Sequence, residues 1–240
     1  MLIGSVSTID PACAMMFFKF MVRKARFPTL LTLSNLCRNL SKHGNSDELR
    51  EVFQVLSSVD YFKDLETYNV MVSFLCKAGM VKEAYGVLPE MKKKGLNPDL
   101  STYNSLIEAC CREDLLRPAK RLWDEMFANG CRGNLKTYNI LIQKFSEVGP
   151  VDEALRLFNH MLGREVTPDA MTYTTLLEGL CHETKLQAAL EVFDNCVEQD
   201  LMLAQSVLDT FILSLCKAGR FCTRNMYRML QFSLHLTLCK

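Results

Sequence analysis

Four tyrosines, Tyr68, Tyr103, Tyr138 and Tyr173, recur every 35 residues, each preceded by threonine and the first three followed by asparagine. A fixed period of roughly 20–50 residues constrains a chain more than any local propensity does. Each unit is then one supersecondary element that must bury its apolar face on its neighbours. Such a chain folds as a stack.

The unit at 65–99 shows what is stacked. Tyr68, Met71, Val72 and Leu75 recur at i, i+3, i+4 and i+7, one face of a helix. Gly79 follows as a stop, because glycine suits the left-handed residue after a helix. Ala84, Val87, Leu88 and Met91 mark a second helical face, and Gly95 and Pro98 close the unit. Small residues (Ala84, Ala119, Ala154, Ala189) mark close approach of the two helices, and bulky ones (Leu88, Trp123, Phe158, Phe193) fill the seam. The expected fold is all-α, a right-handed α-solenoid of stacked antiparallel helix pairs.

The same register divides the chain. Residues 1–29 carry the second helix of a partial repeat (Ala14, Phe18, Met21, Pro28), and 30–64 form a degenerate repeat with Leu33 in the tyrosine slot. Full repeats follow at 65–99, 100–134, 135–169 and 170–204. Residues 205–240 are a degenerate repeat and tail, keeping Leu-Cys-Lys-Ala-Gly-Arg at 215–220 before Arg224 and Arg228 break the pattern.

Bulk properties exclude several classes. Net charge is +1, so there is no strongly basic nucleic-acid footprint in bulk, although a stack can segregate charge onto one face. No apolar stretch approaches the roughly 18 residues of a membrane span. Residues 1–11 contain no basic residue and read neither as a secretory signal nor as an Arg-rich transit peptide. The eleven cysteines include no Cys-x-x-Cys pair. Cys76, Cys111, Cys181 and Cys216 share one repeat position, and neighbouring helices about 10 Å apart exceed the roughly 7 Å Cα limit of a disulfide. Free, mostly buried thiols are expected. His43, His160, His182 and His235 are scattered, so no metal site, cofactor or catalytic constellation is expected.

The 35-residue period, with Thr-Tyr-Asn, Leu-Cys-Lys-Ala-Gly, Glu-Ala, Met and Gly-x-x-Pro-Asp, resembles the pentatricopeptide repeat family, and within it the plain class of uniform units. The resemblance covers about residues 11–220. It implies binding of single-stranded RNA, one base per repeat, read by the fifth and last residues of each unit. Carried over, the reading residues are Ser34 with Asp64, Asn69 with Asp99, Asn104 with Asn134, Asn139 with Asp169, and Thr174 opposite Ala204. By the family's pairing habits these imply purine, U, pyrimidine, U and purine from the RNA 5′ end. Asp99, Asn134 and Asp169 also stand where helix caps are favoured. Asn69, Asn104 and Asn139 fall in the first helical turn or just past it, where asparagine is a poor former, which points to a functional demand.

The resemblance also implies phosphate contacts from the thirteenth position, here Lys42, Lys77, Arg112 and Lys217, with Glu147 and His182 in the remaining slots. Cations near a helix end meet the helix dipole favourably as well, so the column has two readings. The second position, usually aliphatic in the family and sandwiching the base, holds Leu31, Glu66, Ser101, Lys136, Met171 and Ser206. Only Leu31 and Met171 offer comparable packing.

These readings lead to a monomeric RNA-binding adaptor of organellar transcripts, mitochondrial first and plastid second, without membrane association or catalysis. It would present its RNA to other RNA-processing proteins. A protein-binding helical scaffold and a truncated family member of little activity are the rival expectations.

Overall fold

A computed structural model describes residues 11–59, 61–199 and 201–217. The described residues form twelve helices and no strand. The first seven are α1 (Pro11–Arg23), α2 (Leu30–Lys42), α3 (Ser46–Ser58), α4 (Leu65–Lys77), α5 (Val81–Lys93), α6 (Leu100–Arg112) and α7 (Leu116–Ala128). They belong to one compact unit, residues 1–132. The second unit, residues 133–240, holds α8 (Leu135–Glu147), α9 (Val151–Gly163), α10 (Ala170–His182), α11 (Leu186–Gln199) and α12 (Leu201–Lys217). Both are helical-repeat stacks of the solenoid class. In the first unit, α2 packs on α4 and α4 on α6, each with its own second helix behind it; in the second, α8 packs on α10 and α10 on α12.

Short, uniform helices arise from the punctuation of the sequence. α4, α6, α8 and α10 begin on Asp64, Asp99, Asn134 and Asp169, whose side chains accept the N–H of a threonine three residues on. Each threonine hydroxyl in turn accepts the cap residue's own N–H, closing a capping box. At the other end of α4, Gly79 sits at φ +74 and donates its N–H to the Cys76 carbonyl at 3.2 Å, while Met80 donates to Leu75 at 2.9 Å. That left-handed turn reverses the chain into α5.

The core is a repeating layer. Leu33, Tyr103, Tyr138 and Tyr173 have no exposed surface and Tyr68 only 2%. Ala84, Ala119, Ala154 and Ala189 are fully buried, as are Met91, Met126, Met161 and Cys196. A buried phenol needs a partner, since leaving it unsatisfied costs about 1–3 kcal/mol. For Tyr103, Tyr138 and Tyr173 the second helix or its C-cap residue supplies one. The Tyr103 hydroxyl accepts from Asn129 Nδ2 at 2.7 Å, Tyr138 pairs with His160 Nδ1 at 2.9 Å, and Tyr173 donates to Asn195 Oδ1 at 2.9 Å. On the outside, successive second helices are tied by Arg50–Glu83 at 2.8 Å, Lys92–Glu125 at 2.7 Å and Lys185–Asp152 at 2.8 Å.

The final helix starts at Leu201 and runs 17 residues where α1 to α10 have 13. The segment before it has no Gly-x-x-Pro-Asp stop, so nothing breaks or caps the helix at the usual place. Cys216 is exposed although it shares the register of the buried Cys76, Cys111 and Cys181; among the described residues no helix follows α12 to cover it. Trp123 is half-buried, its indole edge-on to Phe127 with centroids 4.6 Å apart, so it does not fill the seam as Leu88, Phe158 and Phe193 do. The tail positions Arg220, Arg224 and Arg228, and the side chain of Ala204, lie outside the described residues.

Candidate nucleic-acid interface

The reading columns come together as hydrogen-bonded clusters, and the local cause is the cap. Asp99 precedes α6, so its Oδ1 is held by the Thr102 N–H at 2.9 Å, leaving Oδ2 to face the preceding first helix. There Asn69, in the second turn of α4, donates from Nδ2 to Asp99 Oδ2 at 3.0 Å. The Thr102 hydroxyl, from the following repeat, donates to Asn69 Oδ1 and also lies 3.0 Å from Asp99 Oδ1. The second unit repeats the arrangement: Asn139 Nδ2 donates to Asp169 Oδ1 and Oδ2 at 3.2 and 3.1 Å, and Thr172 Oγ1 donates to Asn139 Oδ1 at 2.6 Å. Burial alone pushes the Asp169 carboxyl up. The Thr172 N–H and hydroxyl and the Asn139 amide outweigh it and hold the group below the usual carboxylate range.

The geometry fixes which way each amide points. A carboxylate only accepts, so the amide turns Nδ2 to it, and the threonine hydroxyl is shared between the cap Oδ1, at 3.0 and 2.8 Å, and the asparagine oxygen. Donation to the asparagine oxygen puts Oδ1 against threonine and turns Nδ2 to the carboxylate. What each pair has left to offer is therefore one amide N–H beside a carboxylate edge. Asn69, Asp99, Asn139 and Asp169 are all half-buried, reachable yet desolvated enough for directed hydrogen bonds to count.

The other reading residues behave differently. Ser34 and Asp64 are not joined by a hydrogen bond: the serine side chain is too short to span to the cap. Asp64 is exposed, and the Thr67 hydroxyl turns to the Asp64 main-chain oxygen at 3.0 Å. Thr67 still holds the Asp64 carboxyl below its ordinary range, through its N–H and its hydroxyl. Asn104, only 8% exposed on α6, belongs to the first unit, and Asn134, exposed at the cap of α8, to the second. Thr174 bends its hydroxyl back to the Ala170 carbonyl at 2.9 Å, spending its donor on its own helix.

The cationic column lies at the opposite end of the same helices. Lys42, Lys77, Arg112 and Lys217 are exposed and are the last residues of α2, α4, α6 and α12. That is eight residues, or about 12 Å of helix, beyond the fifth position. Lys77 stands over the Phe74 ring at 5.7 Å, and Arg112 donates to the Cys76 carbonyl at 3.1 Å. In the second unit a groove of about 520 Å³ opens along α8, α10 and α12, where Glu147 and Glu178 face His182 and Lys217. Its floor is the contact of Gly179 with Ser146, so close that a Cβ on residue 179 would lie 2.9 Å from Ser146 Cβ. The column is therefore cationic over the first unit's helices, with Glu108 3.9 Å from Arg112, and mixed in charge over the second's. At the second position, Leu31 is 73% and Met171 48% exposed, apolar surface standing free beside the readers. Among the described residues no group of three His, Cys, Asp or Glu side chains could hold a metal ion, and no helix is long and apolar enough to cross a membrane.

The threonine hydroxyl is what sequence reasoning missed. Thr102 and Thr172 belong to the repeated Thr-Tyr-Asn and Thr-Tyr-Thr motifs, and that repetition was the available signal.

Comparison with known proteins accords with this construction. The chain is 53% identical over 66 residues to the pentatricopeptide repeat-containing protein At5g14080 of Arabidopsis thaliana, a match covering 28% of the chain and 10% of the relative. It is 32% identical over 84 residues to At2g16880, another pentatricopeptide repeat-containing protein of that plant, covering 34% and 11%. The matched stretches thus span about a tenth of those relatives. Among solved structures, the maize pentatricopeptide repeat protein PPR10 superimposes with a TM-score of 0.67 at 23% identity, covering 98% of this chain and 38% of its own. PPR10 in complex with an 18-nt psaJ RNA element gives 0.65 at 22%, covering 95% and 34%. Models of the PPR repeat family match residues 63–112, 98–147 and 136–182, and that of the PPR repeat matches 171–201. With more than half of its length matched in this way, the chain belongs to the PPR repeat family.

Proposed function

We propose that this chain is a sequence-selective adaptor for single-stranded RNA, acting on organellar transcripts and carrying out no chemistry of its own. The observation that carries the reading is the recurrence, in both units, of one asparagine amide clamped between a carboxylate and a hydroxyl. Uracil presents an acceptor, O4, beside a donor, N3–H. An amide N–H beside a carboxylate oxygen is its complement, whereas cytosine presents the reverse order. Asn69 with Asp99, and Asn139 with Asp169, then read U. Asn104 with Asn134 accepts either pyrimidine, and Ser34 and Thr174 lean to purines, for an overall preference of 5′-purine-U-pyrimidine-U-purine-3′. Lys42, Lys77, Arg112 and Lys217 hold phosphates, and Leu31 and Met171 pack against bases. Mitochondria are the first compartment and plastids the second, with other RNA-processing proteins as partners, by the habit of the family.

Few reading repeats with a partial apolar clamp give a Kd of roughly micromolar, since each stacked base contributes about 1–3 kcal/mol before ordering costs. Fluorescence anisotropy with 5′-AUCUA-3′ tests the reading. Binding weakens as salt rises, through counterion release. Asn69→Thr moves the second base from U toward G, leaves the fourth unchanged, and the RNA is recovered intact. An unchanged preference at the second base rejects base reading there.

A further inference from the structure

The groove over Gly179 belongs to the phosphate track already described, whereas the threonine hydroxyls beneath the readers are not absorbed by that reading. We propose that Thr102 and Thr172 are positioning residues for base selection, holding the Asn69 and Asn139 amides in the one orientation that distinguishes U from C. This rests on the base reading assigned above and adds a residue from the following repeat to each recognition unit.

Three observations support it. First, Thr102 and Thr172 make the same bond in the two units, hydroxyl to asparagine oxygen, across 33 residues of chain. Second, capping does not require that bond. The box is complete once the cap carboxylate takes the threonine N–H and the threonine oxygen takes the cap N–H. The hydroxyl proton is not needed for it, although the hydroxyl also lies 3.0 and 2.8 Å from the cap Oδ1 of Asp99 and Asp169. Third, the chain contains its own control. Where serine replaces asparagine, Thr67 keeps the whole capping box, yet its hydroxyl points to the Asp64 main-chain oxygen at 3.0 Å. The hydroxyl reaches the reader where an amide oxygen is there to receive it.

The chemistry follows from the inventory of the amide. Without the hydroxyl, only the carboxylate's hold on Nδ2 opposes the half-turn of the terminal torsion that exchanges Oδ1 and Nδ2. The flipped amide offers an acceptor to the base, matching the N4 amino group of cytosine. A site that rejected cytosine then accepts it. Thr102 and Thr172 are 1% exposed, so they do this without touching the base themselves.

The test uses the full chain and 5′-AUCUA-3′ with C substituted at the second or the fourth base. Thr172→Val keeps shape and removes the hydroxyl. The U:C affinity ratio at the fourth base falls by about three- to tenfold, the net worth of one hydrogen bond. The ratio at the second base stays as in wild type, and Thr172→Ser restores the fourth. Thr102→Val reverses the pattern, lowering the ratio at the second base alone, and stands in for Thr172→Val should circular dichroism show that variant unfolded. An unchanged ratio at the cognate base overturns the proposal while base reading stands. So does an equal loss at both bases with helicity intact, which marks a structural role only. A wild-type protein without U:C preference at either base overturns base reading itself.

Discussion

At the scale of single residues, recognition and stability share the same atoms. Asp169 caps α10 through the Thr172 N–H at 2.8 Å and holds Asn139 with the same carboxylate. Asp169→Ala therefore costs about 1–2 kcal/mol, chiefly the lost cap, measurable by urea denaturation at neutral pH. The pH dependence has a definite sign. The folded carboxyl lies below its ordinary value of 3.8, so its contribution is complete above that value and is lost as pH falls through the lower folded one. The gap between wild type and Asp169→Ala is thus full from pH 5 to 7 and narrows below the ordinary carboxylate pKa. The spacing of Asn69 to Asp99 and Asn139 to Asp169 was legible from the period alone, because both ends of each pair keep register. The orientation of the amide was not. It depends on a hydroxyl from the next repeat, and a column of residues says nothing of where one proton points.

At the scale of elements, the helix pairs were legible from 3.6-residue periodicity and the Gly and Pro stops, and the start of the last helix was not, because its linker lacks both. Two helical glycines show how far local preference can be overruled by packing. Gly86, inside α5, has nothing within 4 Å of a would-be Cβ. Gly86→Ala is expected to stabilise by about 0.5–1 kcal/mol, the ordinary difference in helix propensity. Gly179, inside α10, faces Ser146 so closely that a Cβ meets its Cβ at 2.9 Å and its Cα at 3.1 Å. Gly179→Ala should destabilise by about 1–3 kcal/mol, as overpacking does, despite the same gain in propensity. Thermal melts of the two variants against wild type settle the signs. A propensity scale read along the sequence assigns both the same one.

At the scale of the whole chain, the cysteines report on the core. Nine of them are described, and all nine are thiols. Burial pushes the Cys76 thiol up to about 12 and those of Cys110 and Cys181 up to about 11, and raises Cys37 further. In native protein at pH 8, a thiol reagent should, among the described cysteines, reach exposed Cys216 first and half-buried Cys13 and Cys131 more slowly, and leave Cys37, Cys76, Cys110 and Cys181 unreacted. Unfolding without reductant should release nearly all eleven, and three or more disulfides in that assay would overturn the free-thiol assignment. The capping carboxylates have a wider consequence, one that concerns redesign. Each closes one repeat while nucleating the helix of the next, so the letter that names a base is drawn from the short list of side chains that can also start a helix: Asp, Asn, Ser, Thr. Retargeting such a chain to a new message is thus spelling with a restricted alphabet, and any letter outside it loosens the page on which the next word is written.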